Sequence, residues 1–559
     1  MMAFSDAVTR LAIYSLPIIV TSFSGVWLWS RQFRRKEGEP PLESGRIPFL
    51  GVAISFSRHA GKFLQEMKRK HGDIFTIFLA GNRMHFITDL HSFKRFFKSE
   101  TLSFDKVAEA IAQNAFGYSK LSAYPEYKAE DVKKLYIQFL QGKELEALVS
   151  KFQKSLLKTM SKRVEADSEN CNLGLYEWVY SVMFEASCNA LYGEGFYAKE
   201  ILNSFQALDE QFPLLAAQVP ANLIIGKQVE TNREFLSKKL DEALKNNPDD
   251  TSNFIQARED LFKDTISNHD RKRMHLTMLW ASQANTIPAV FWALGYILSN
   301  HEAKAQVLDE LSRILERKRT AKVFKKGGFF GGMLNRNKSD EHLPSIQQSF
   351  GANVTFNKEE IGQMVVLESC INEAFRLATA SLMLREVEAD MDFETSKGEV
   401  FKFRKGDQVV LSPYLNHMDE EIFGKDPELF RYDRYLETSL DGVQSLKRYF
   451  TKDGKKVLLT QSLMPFGGGV SMCPGRFFAA AEIKLFTAHV LLSYPLDLKG
   501  DITKLSMNQS RAGLGILPPE GDIPFSFTPS RRDSPSKSSL DCDSTSGEPL
   551  QSFEYSPSA

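Results

Sequence analysis

The sequence predicts a mainly helical protein with a small β-rich lobe and a single N-terminal transmembrane helix. Helical periodicity continues with few interruptions from about Ser92 to Glu316. Two alternating runs, His71–Phe78 and Arg83–Thr88, flank Ala80-Gly-Asn82 and predict a β-hairpin. Leu11 to Trp29 is almost uncharged and strongly apolar, and about 20 such residues suffice to span a bilayer as a helix.

The composition fits a large globular protein. The chain has 559 residues, of which 43% are hydrophobic and 25% charged, and its formal net charge is zero. This length exceeds one average domain, and the charge balance gives no support for binding nucleic acid. The five cysteines are odd in number and scattered, which argues against a disulfide framework and for a reducing compartment: Cys171, Cys188, Cys370, Cys473 and Cys542.

The apolar N-terminal run predicts a retained membrane anchor over residues 1–30. Four basic residues follow it directly, so the positive-inside rule places the rest of the chain in the cytosol: Arg31, Arg34, Arg35 and Lys36. A cleaved signal peptide is the alternative, but its basic cluster would precede the apolar run, and no small-x-small cleavage site is evident.

The remaining boundaries follow from composition. Residues 31–51 are basic and proline-rich and predict a stiff hinge, and residues 52–527 form the catalytic domain. Within it, residues 317–353 cluster Lys and Arg around Gly327-Gly-Phe-Phe-Gly-Gly332 and predict an exposed insertion, either a solvated loop or a contact with anionic lipid. Residues 528–559 are Ser/Pro-rich and predict a disordered tail.

A proline-punctuated apolar stretch, Phe212–Ile225, interrupts the helical pattern. It predicts either a buried connection or a lid over an apolar substrate channel that dips into the membrane, and the pattern does not separate these readings.

The stretch from Phe466 to Arg476, with sequence Phe-Gly-Gly-Gly-Val-Ser-Met-Cys-Pro-Gly-Arg, is the strongest chemical signal. Three glycines allow a tight turn, Pro474 suits the first position of the apolar helix that follows, and Cys473 would lie at that helix's N-terminus. The helix dipole and free amides there favour an anionic sulfur, which is a ready axial ligand for haem iron.

Two other readings compete for this stretch. A lone cysteine is usually a small buried hydrophobe, and a glycine run can be a phosphate-binding loop. The phosphate loop is excluded because no Lys-Ser/Thr pair follows the glycines. The F-x-x-G-x-x-x-C-x-G pattern favours the haem-thiolate reading over the buried hydrophobe.

Two further segments carry polar residues in apolar helical patterns. Glu373 and Arg376 lie three apart and can pair on one helix face, and Arg434 could complete a buried cluster that clamps the core behind the cysteine loop. The helix predicted over His275–Ser299 carries Ser-Gln-Ala-Asn-Thr and then Pro288, so we expect a kink with freed carbonyls beside polar side chains. Taken alone, that helix would be read as a core helix with satisfied polar groups.

These motifs occur in the order found in cytochromes P-450, and the chain from about His71 to Phe527, with the anchor and hinge, resembles that family of haem-thiolate monooxygenases. The resemblance implies that Cys473 is the axial iron ligand and that Arg385 binds a haem propionate. It further implies that the haem contacts Phe466, Gly469 and Gly475.

Four positions depart from the common family pattern. Asn285 stands where most members carry a threonine, Ala284 replaces the adjacent acid, Ser471 replaces a propionate-binding arginine and Tyr432 replaces a proline. These departures are similar to the branch that holds the sterol 7α-hydroxylases and prostacyclin synthase. Within it, Gly81–Thr88 and Leu279–Ser299 look most similar to the oxysterol 7α-hydroxylases.

The resemblance implies an endoplasmic-reticulum membrane enzyme, single-pass, with its catalytic domain in the cytosol. Such an enzyme holds haem b, takes electrons from NADPH through NADPH-cytochrome P-450 reductase, and hydroxylates a sterol or oxysterol at the 7α position with O2. Asn285 and an ordered water would relay protons, with Thr286 assisting. Two alternatives stay open: an endoperoxide isomerase of the prostacyclin-synthase type, and a non-catalytic sterol-binding haem protein.

Overall fold

The structure is a computed structural model that describes residues 34–47, 50–167, 173–217, 227–246, 248–326, 354–494 and 496–527. It is mainly helical with small sheets, as the sequence predicts. The helices of the first half are α1 (Ala53–Arg58), α2 (Ala60–His71), α3 (Phe93–Lys98), α4 (Asp105–Phe116), α5 (Ala129–Gln141), α6 (Lys143–Asp167), α7 (Leu175–Tyr192), α8 (Lys199–Ala216), α9 (Lys227–Asn246) and α10 (Asn253–Thr265). Those that follow are α11 (Asn268–Gln283), α12 (Thr286–Ser299), α13 (His301–Lys326), α14 (Lys358–Gly362), α15 (Val365–Ala378), α16 (Pro413–His417), α17 (Glu420–Phe423), α18 (Leu459–Ser462) and α19 (Arg476–Ser493).

The strands form one mixed sheet and several small antiparallel pairings. They are β1 (Leu42–Glu43), β2 (Ile74–Leu79), β3 (Asn82–Ile87), β4 (Leu102–Ser103), β5 (Leu173–Gly174), β6 (Met383–Val387), β7 (Met391–Glu394), β8 (Val400–Phe403), β9 (Gln408–Leu411), β10 (Leu436–Thr438), β11 (Gln444–Leu446), β12 (Tyr449–Lys452), β13 (Lys455–Leu458), β14 (Leu496–Leu498) and β15 (Pro524–Phe527). The six-stranded sheet has the order β1-β2-β3-β9-β6-β4, and a three-stranded sheet has the order β14-β15-β5.

The predicted hairpin is present as β2 and β3, paired antiparallel from Ile74 opposite Ile87 to Leu79 opposite Asn82. The turn residues Ala80 and Gly81 have φ values of 48° and 85°. Positive φ at both central residues is the backbone of a type I′ turn, whose twist matches the flanking strands.

Among the described residues, one large apolar core lies among the helices, and two smaller clusters pack on the faces of the mixed sheet. Helix α12 runs through the helical core and packs against α7, α15 and α19. Every residue of α12 from Thr286 to Ile297 is buried, so this helix is apolar on all sides, as expected of a core helix. The indole of Trp292 donates from Nε1 to the carbonyl of Leu517 at 2.7 Å, which fixes α12 against the C-terminal loop.

Part of the proposed hinge over residues 31–51 packs against the globule, from Glu39 to strand β1. Strand β1 pairs in parallel with β2, and Glu39 is fully buried. The Glu39 carboxylate pairs with Arg83 at 3.1 Å and Arg404 at 3.1 Å. The sequence did not indicate this because both partners lie far along the chain.

The apolar Phe212–Ile225 stretch begins inside a helix rather than interrupting one. Helix α8 continues through Pro213 to Ala216, and Asn114 of α4 donates from Nδ2 to the carbonyl of Leu215 at 2.7 Å. That bond satisfies one of the free carbonyls at the end of a helix. Residues 218–225 lie outside the described residues.

The first ten residues of the proposed insertion over residues 317–353 belong to α13, which extends to Lys326. Residues 327–353, the tail from 528 and the proposed anchor over residues 1–30 lie outside the described residues. Among the residues that the structure does describe, no helix is both long and apolar enough to span a bilayer.

Candidate active site

Cys473 lies in the loop that leads into α19. The helix begins at Arg476 with Gly475 as its N-cap, so Pro474 precedes the helix and does not occupy its first position as expected. The Cys473 N–H donates to the carbonyl of Phe466 at 2.9 Å, which closes the loop on itself. The side chain is exposed, so the sulfur is accessible from outside the packed core.

The electrostatics of the thiol differ in part from the expectation of an anionic sulfur. Although one side of Cys473 is open, desolvation by the surrounding protein raises its pKa, while the backbone N–H groups of Gly475 and Arg476 and the guanidinium of Arg476 pull it down. The expected amides therefore face the sulfur, but without a metal they do not outweigh the cost of removing a charged thiolate from water. Iron coordination would displace the thiol proton, as metal binding does at cysteine generally.

The glycines of the loop allow α3 to approach it closely. A Cβ at Gly468 or Gly469 would lie 2.5 Å or 2.7 Å from ring atoms of Phe97. Gly467 and Gly469 also have φ values of 73° and 65°, which disfavour other residues. The loop is thus shaped by α3 as well as by its own turn.

The predicted clamp residues come together in the interior. The Glu373 carboxylate accepts from Arg376 Nε and Nη2, each at 2.8 Å, and from Arg434 Nε at 2.8 Å. Glu373 and Arg376 are fully buried, and Arg434 is 4% exposed. The backbone N–H of Arg431 also donates to Glu373 Oε1 at 3.1 Å. One carboxylate therefore joins α15 to the segment that contains Arg431 and Arg434.

His417 connects this clamp to the cysteine loop, and the sequence reasoning missed it. Arg376 Nη1 donates to the carbonyl of His417 at 2.8 Å, and His417 Nε2 accepts the backbone N–H of Met464 at 3.2 Å. Burial and the neighbouring Arg376 lower the pKa of His417 to about 3, so its ring is neutral and Nε2 is free to accept. Helix α15 also reaches the loop directly, because the Phe375 ring meets Phe466 edge-on at 5.3 Å.

The expected kink in the central helix is an interruption at Ala284 and Asn285, between α11 and α12. Pro288 has no N–H, so the carbonyl of Ala284 loses its helical partner. Asn285 Oδ1 accepts the backbone N–H of Ile516 at 3.0 Å, and a Cβ at Gly515 would lie 2.2 Å from that oxygen. Thr286 is buried as the first residue of α12.

An open space adjoins this interruption, and we call it the chamber. Met278, Ala281 and Asn285 form a stripe with partial or full exposure, although Ser282 and Gln283 beside them are buried. Spacings of three and four place the stripe on one helix face. The C-terminal loop over residues 513–516, which contacts Asn285, is also joined to the segment after α15 by backbone hydrogen bonds. Gly513 N donates to Ala380 O at 2.7 Å, and Ala380 N donates to Gly515 O at 2.9 Å.

The ion pair of Asp209 and Arg511 lies beside a cluster of aromatic residues near Trp280 of α11. No local pattern in the sequence predicts it. Asp209 of α8 accepts from Trp280 Nε1 at 2.7 Å and from Arg511 Nη1 at 2.6 Å. The Trp280 ring stacks on Phe212 with centroids 3.7 Å apart, and Phe116 of α4 lies 5.8 Å from each of these rings. Helices α4, α8 and α11 and the C-terminal loop therefore meet at this cluster.

Arg385 lies on β6, with its guanidinium against the rings of Phe96 at 5.6 Å and Phe104 at 5.3 Å. It is 6% exposed and forms no ion pair with any residue that the structure describes. Burial lowers the pKa of Arg385, and Asp105 nearby opposes that shift. A buried cation without a carboxylate partner is costly, so this position suits an anionic ligand group.

The residues present fit a haem. The residues around the loop include an accessible sulfur faced by two amides, glycines packed closely against Phe97, and the Arg385 guanidinium without a carboxylate partner among the described residues. Arg385 is two residues from Met383, whose sulfur lies near Gly467. A thiolate is a known axial ligand for haem iron, and a guanidinium suits a carboxylate such as a propionate. Ser471 is exposed on the same loop.

Comparison with known proteins gives consistent matches. The family model described as Cytochrome P450 matches residues 40–325 and 340–525. The Cricetulus griseus protein named Cholesterol 7-alpha-monooxygenase is 34% identical over 519 residues, covering 90% of this chain and 96% of the relative. Cytochrome P450 7B1 of Mus musculus is 34% identical, covering 90% and 93%. The 25-hydroxycholesterol 7-alpha-hydroxylase of Rattus norvegicus is 32% identical, covering 76% and 95%.

Proposed function

The chain belongs to the cytochrome P450 family, and from this premise we propose that it is a monooxygenase that hydroxylates a sterol at the 7α position. The observation that carries the proposal is the similarity over 90% of this chain to a relative named for cholesterol 7α-oxidation, supported by a second relative named for 25-hydroxycholesterol. Members of this family use haem iron and electrons from a partner reductase, and we propose haem b and NADPH-cytochrome P-450 reductase for this chain.

In this proposal Cys473 ligates the iron, and Arg385 pairs with a haem carboxylate. Haem iron supplies the oxidising chemistry on dioxygen when it is bound through the thiolate. The chain's own task is to hold that thiolate in place, and the Glu373 cluster does so through two contacts. One contact is the His417–Met464 hydrogen bond and the other is the Phe375–Phe466 ring pair.

Asn285 is proposed to orient rather than to release protons. Its Oδ1 is engaged by the Ile516 N–H, so the Nδ2 amide is the group left to donate. A carboxamide does not ionise in water, so a proton would pass along an ordered water that Asn285 positions. Thr286, one residue later, is proposed to assist as the nearest hydroxyl in the sequence.

We propose that the chamber receives the apolar body of a sterol. The partly exposed Trp280 ring, backed by the buried rings of Phe116 and Phe212, provides an aromatic surface, and Arg511 and Asp209 neutralise each other beside it. Large rigid apolar bodies bind in such pockets through a few placed polar groups. The relatives named for cholesterol and for 25-hydroxycholesterol differ in side-chain hydroxylation, so a side-chain hydroxyl is the feature that the substrate assay must vary.

We propose that residues 1–30 anchor the enzyme in the endoplasmic-reticulum membrane, with the catalytic domain in the cytosol. Exposed apolar residues soon after that segment support a membrane-facing surface, since Ile47, Leu50 and Ile54 are 41%, 38% and 47% exposed. Leu214, near the end of α8, is 41% exposed. Apolar side chains of this kind insert into the interfacial region of a bilayer.

The proposal is tested with the full-length haem-loaded protein and reductase in lipid vesicles. Cholesterol, 24-hydroxycholesterol and 25-hydroxycholesterol are offered with NADPH, and the products are identified by mass spectrometry and NMR. We expect NADPH-dependent 7α-hydroxylation of at least one sterol, with the ranking of the three defining the preferred side chain. Protein that consumes no NADPH with any sterol but rearranges a prostaglandin endoperoxide analogue would replace this proposal with an isomerase.

A further inference from the structure

A large groove lies away from the chamber. It is a groove of about 1240 Å³ between α6, α14, α15 and α19, and none of Asn285, Trp280, Arg385 or Cys473 lines it. Its floor is apolar and consists of Leu157, Ile361, Ile371, Phe375, Phe466 and Phe477. Ligand pockets in proteins are mostly apolar clefts of about 300–1000 Å³, so this groove has room for a ligand as large as a steroid.

One wall of the groove is cationic. Six lysines and two glutamates line the groove, and Lys154, Lys158 and Lys162 of α6 follow one another at intervals of four residues. Residues four apart lie on one face of a helix, so these three ammonium groups share the wall. Lys158 pairs with Glu194 at 2.6 Å and Lys162 with Glu185 at 3.9 Å, and neither carboxylate lines the groove.

Lys154 differs from its two neighbours on that wall. It is exposed and forms no close ion pair with any of the residues that the structure describes, although it lies near enough to Asp250 to help lower the pKa of that carboxyl. The three lysines outside α6 are paired, because Lys484 contacts Glu368 at 2.6 Å, Lys318 contacts Glu360 at 2.8 Å and Lys358 reaches Glu146 of α6 at 2.9 Å. The lysine of the groove that has no close carboxylate partner among the described residues is therefore Lys154 on the α6 wall.

We propose that this groove binds an anionic amphiphile, with an apolar body of about steroid size and one carboxylate or sulfate. The body would cover Ile371, Phe375 and Phe466, and the anion would lie against Lys154. An anion is favoured over a neutral polar group because hydrogen bonds between ionised partners are about twice as strong as neutral ones. A steroid acid and a fatty acid share this chemistry.

The position of the groove makes its occupancy detectable at the cysteine loop. Phe466 lines the groove, and its carbonyl accepts the Cys473 N–H at 2.9 Å. The Phe466 ring contacts Phe375, which also lines the groove. A ligand that presses on these two rings shifts the segment that holds the cysteine. Binding should therefore change the absorption spectrum of the bound haem without entering the chamber.

The test measures direct binding to full-length haem-loaded protein in neutral phosphatidylcholine nanodiscs. An imidazole inhibitor is added at saturation to fill the chamber. Radiolabelled cholanoate and oleate are the two anionic probes, and the matching cholane alcohol is the neutral control. Equilibrium dialysis gives the stoichiometry and Kd, and the haem spectrum is recorded in parallel.

We expect one equivalent of at least one anionic probe to bind beside the inhibitor, and the probe that binds identifies the source as steroid or fatty acid. Lys154→Glu should weaken that binding about tenfold, the effect of reversing one exposed charge beside an anion. The matched variant is Lys133→Glu, an exposed lysine on α5 outside the groove, which should bind as wild type does. Leu157→Gln, which makes the floor more polar, should weaken binding of the same probe.

Four results would overturn the proposal: displacement of both probes by the inhibitor, equal affinity for the neutral alcohol, unchanged affinity in Lys154→Glu, or no uptake at all. If the full chain takes up no probe while a chain lacking residues 328–350 does, the groove's occupant is the chain itself and not a free amphiphile. The result does not depend on sterol turnover, so the proposed function and this proposal can fail separately.

Discussion

Replacing Glu373 by glutamine removes one negative charge from a place where two guanidinium groups depend on it. Glutamine keeps the volume and one acceptor oxygen, but it presents an NH2 group to donors that need an acceptor. Three hydrogen bonds of 2.8 Å from Arg376 and Arg434 end on the carboxylate, and all three side chains are less than 5% exposed. Breaking a buried ion pair by removing one partner costs about 3–5 kcal/mol.

That cost is a large share of the 5–15 kcal/mol that typically stabilises a folded protein. We therefore expect Glu373→Gln to lower the free energy of unfolding by about 3–5 kcal/mol and to give mostly haem-free protein. The assay is urea-induced loss of haem absorbance, together with the ratio of haem to protein after purification. Linear extrapolation of the urea transition to zero urea gives the free energy of unfolding.

The matched control is Asp433→Asn, which breaks the Arg431–Asp433 pair in the same segment. Its charged groups are 3.3 Å apart and about half exposed, so the expected change is 0–1 kcal/mol. The backbone N–H of Arg431 that reaches Glu373 stays in place in this control. If Glu373→Gln unfolds within 1 kcal/mol of wild type and keeps its haem, the cluster does not hold the loop and the clamp reasoning is wrong.

The remaining predictions concern the ligand, the proton, a buried acid and the membrane. Cys473→Ser should abolish the red-shifted Soret band of the reduced CO-bound protein, and a Cys473→Ala variant that keeps the band would show that another residue ligates the iron. Asn285→Ala should lower sterol turnover about 10²–10⁴-fold and divert NADPH to hydrogen peroxide while the substrate-induced spectral shift persists, because positioned proton transfer is typically worth that factor; coupled turnover at the wild-type rate would exclude the role. Burial raises the pKa of Glu482 from 4.5 to about 8, so the folded state holds a proton that the unfolded state releases above pH 4.5. Stability should therefore fall between about pH 4.5 and pH 8 on account of this group, and Glu482→Gln should flatten the pH dependence of the urea midpoint, whereas the exposed control Glu234→Gln should not. Deleting residues 1–30 should leave protein that folds, binds haem and still binds liposomes through its exposed apolar residues; truncated protein that ignores liposomes would refute the membrane-facing surface.

Local sequence predicted the parts of the site whose partners are near in the chain or fixed by motif order. Glu373 and Arg376 lie about one helical turn apart, and the glycines before Cys473 predict a tight loop. The fold class was predictable for the same reason, because periodicity and turn residues are local signals. The start of α19 was placed two residues early, since proline at a first helical position is a preference and Gly475 provides the actual cap.

The missed residues depend on contacts that no periodicity encodes. His417 joins the clamp to the loop through one backbone N–H, and Asp209 meets Arg511 about three hundred residues away. Glu39 shows the same limit, because its segment has the composition of a linker until Arg83 and Arg404 are brought beside it. The thiol of Cys473 was expected to favour its anion, but sequence gives no measure of how far burial opposes the amides.

The contact between Asn285 and Gly515 has a consequence for how this enzyme's lineage can vary. Gly515 has a φ of 139°, and any side chain there would overlap the carboxamide oxygen that accepts from Ile516. Position 515 thus demands glycine for two separate reasons, its backbone angle and the nearby oxygen of residue 285, and a smaller residue at 285 removes only the second. Position 515 should therefore stay glycine among descendants of a common ancestor, even where position 285 changes. An alignment of such sequences would show glycine at 515 beside whatever residue stands at 285.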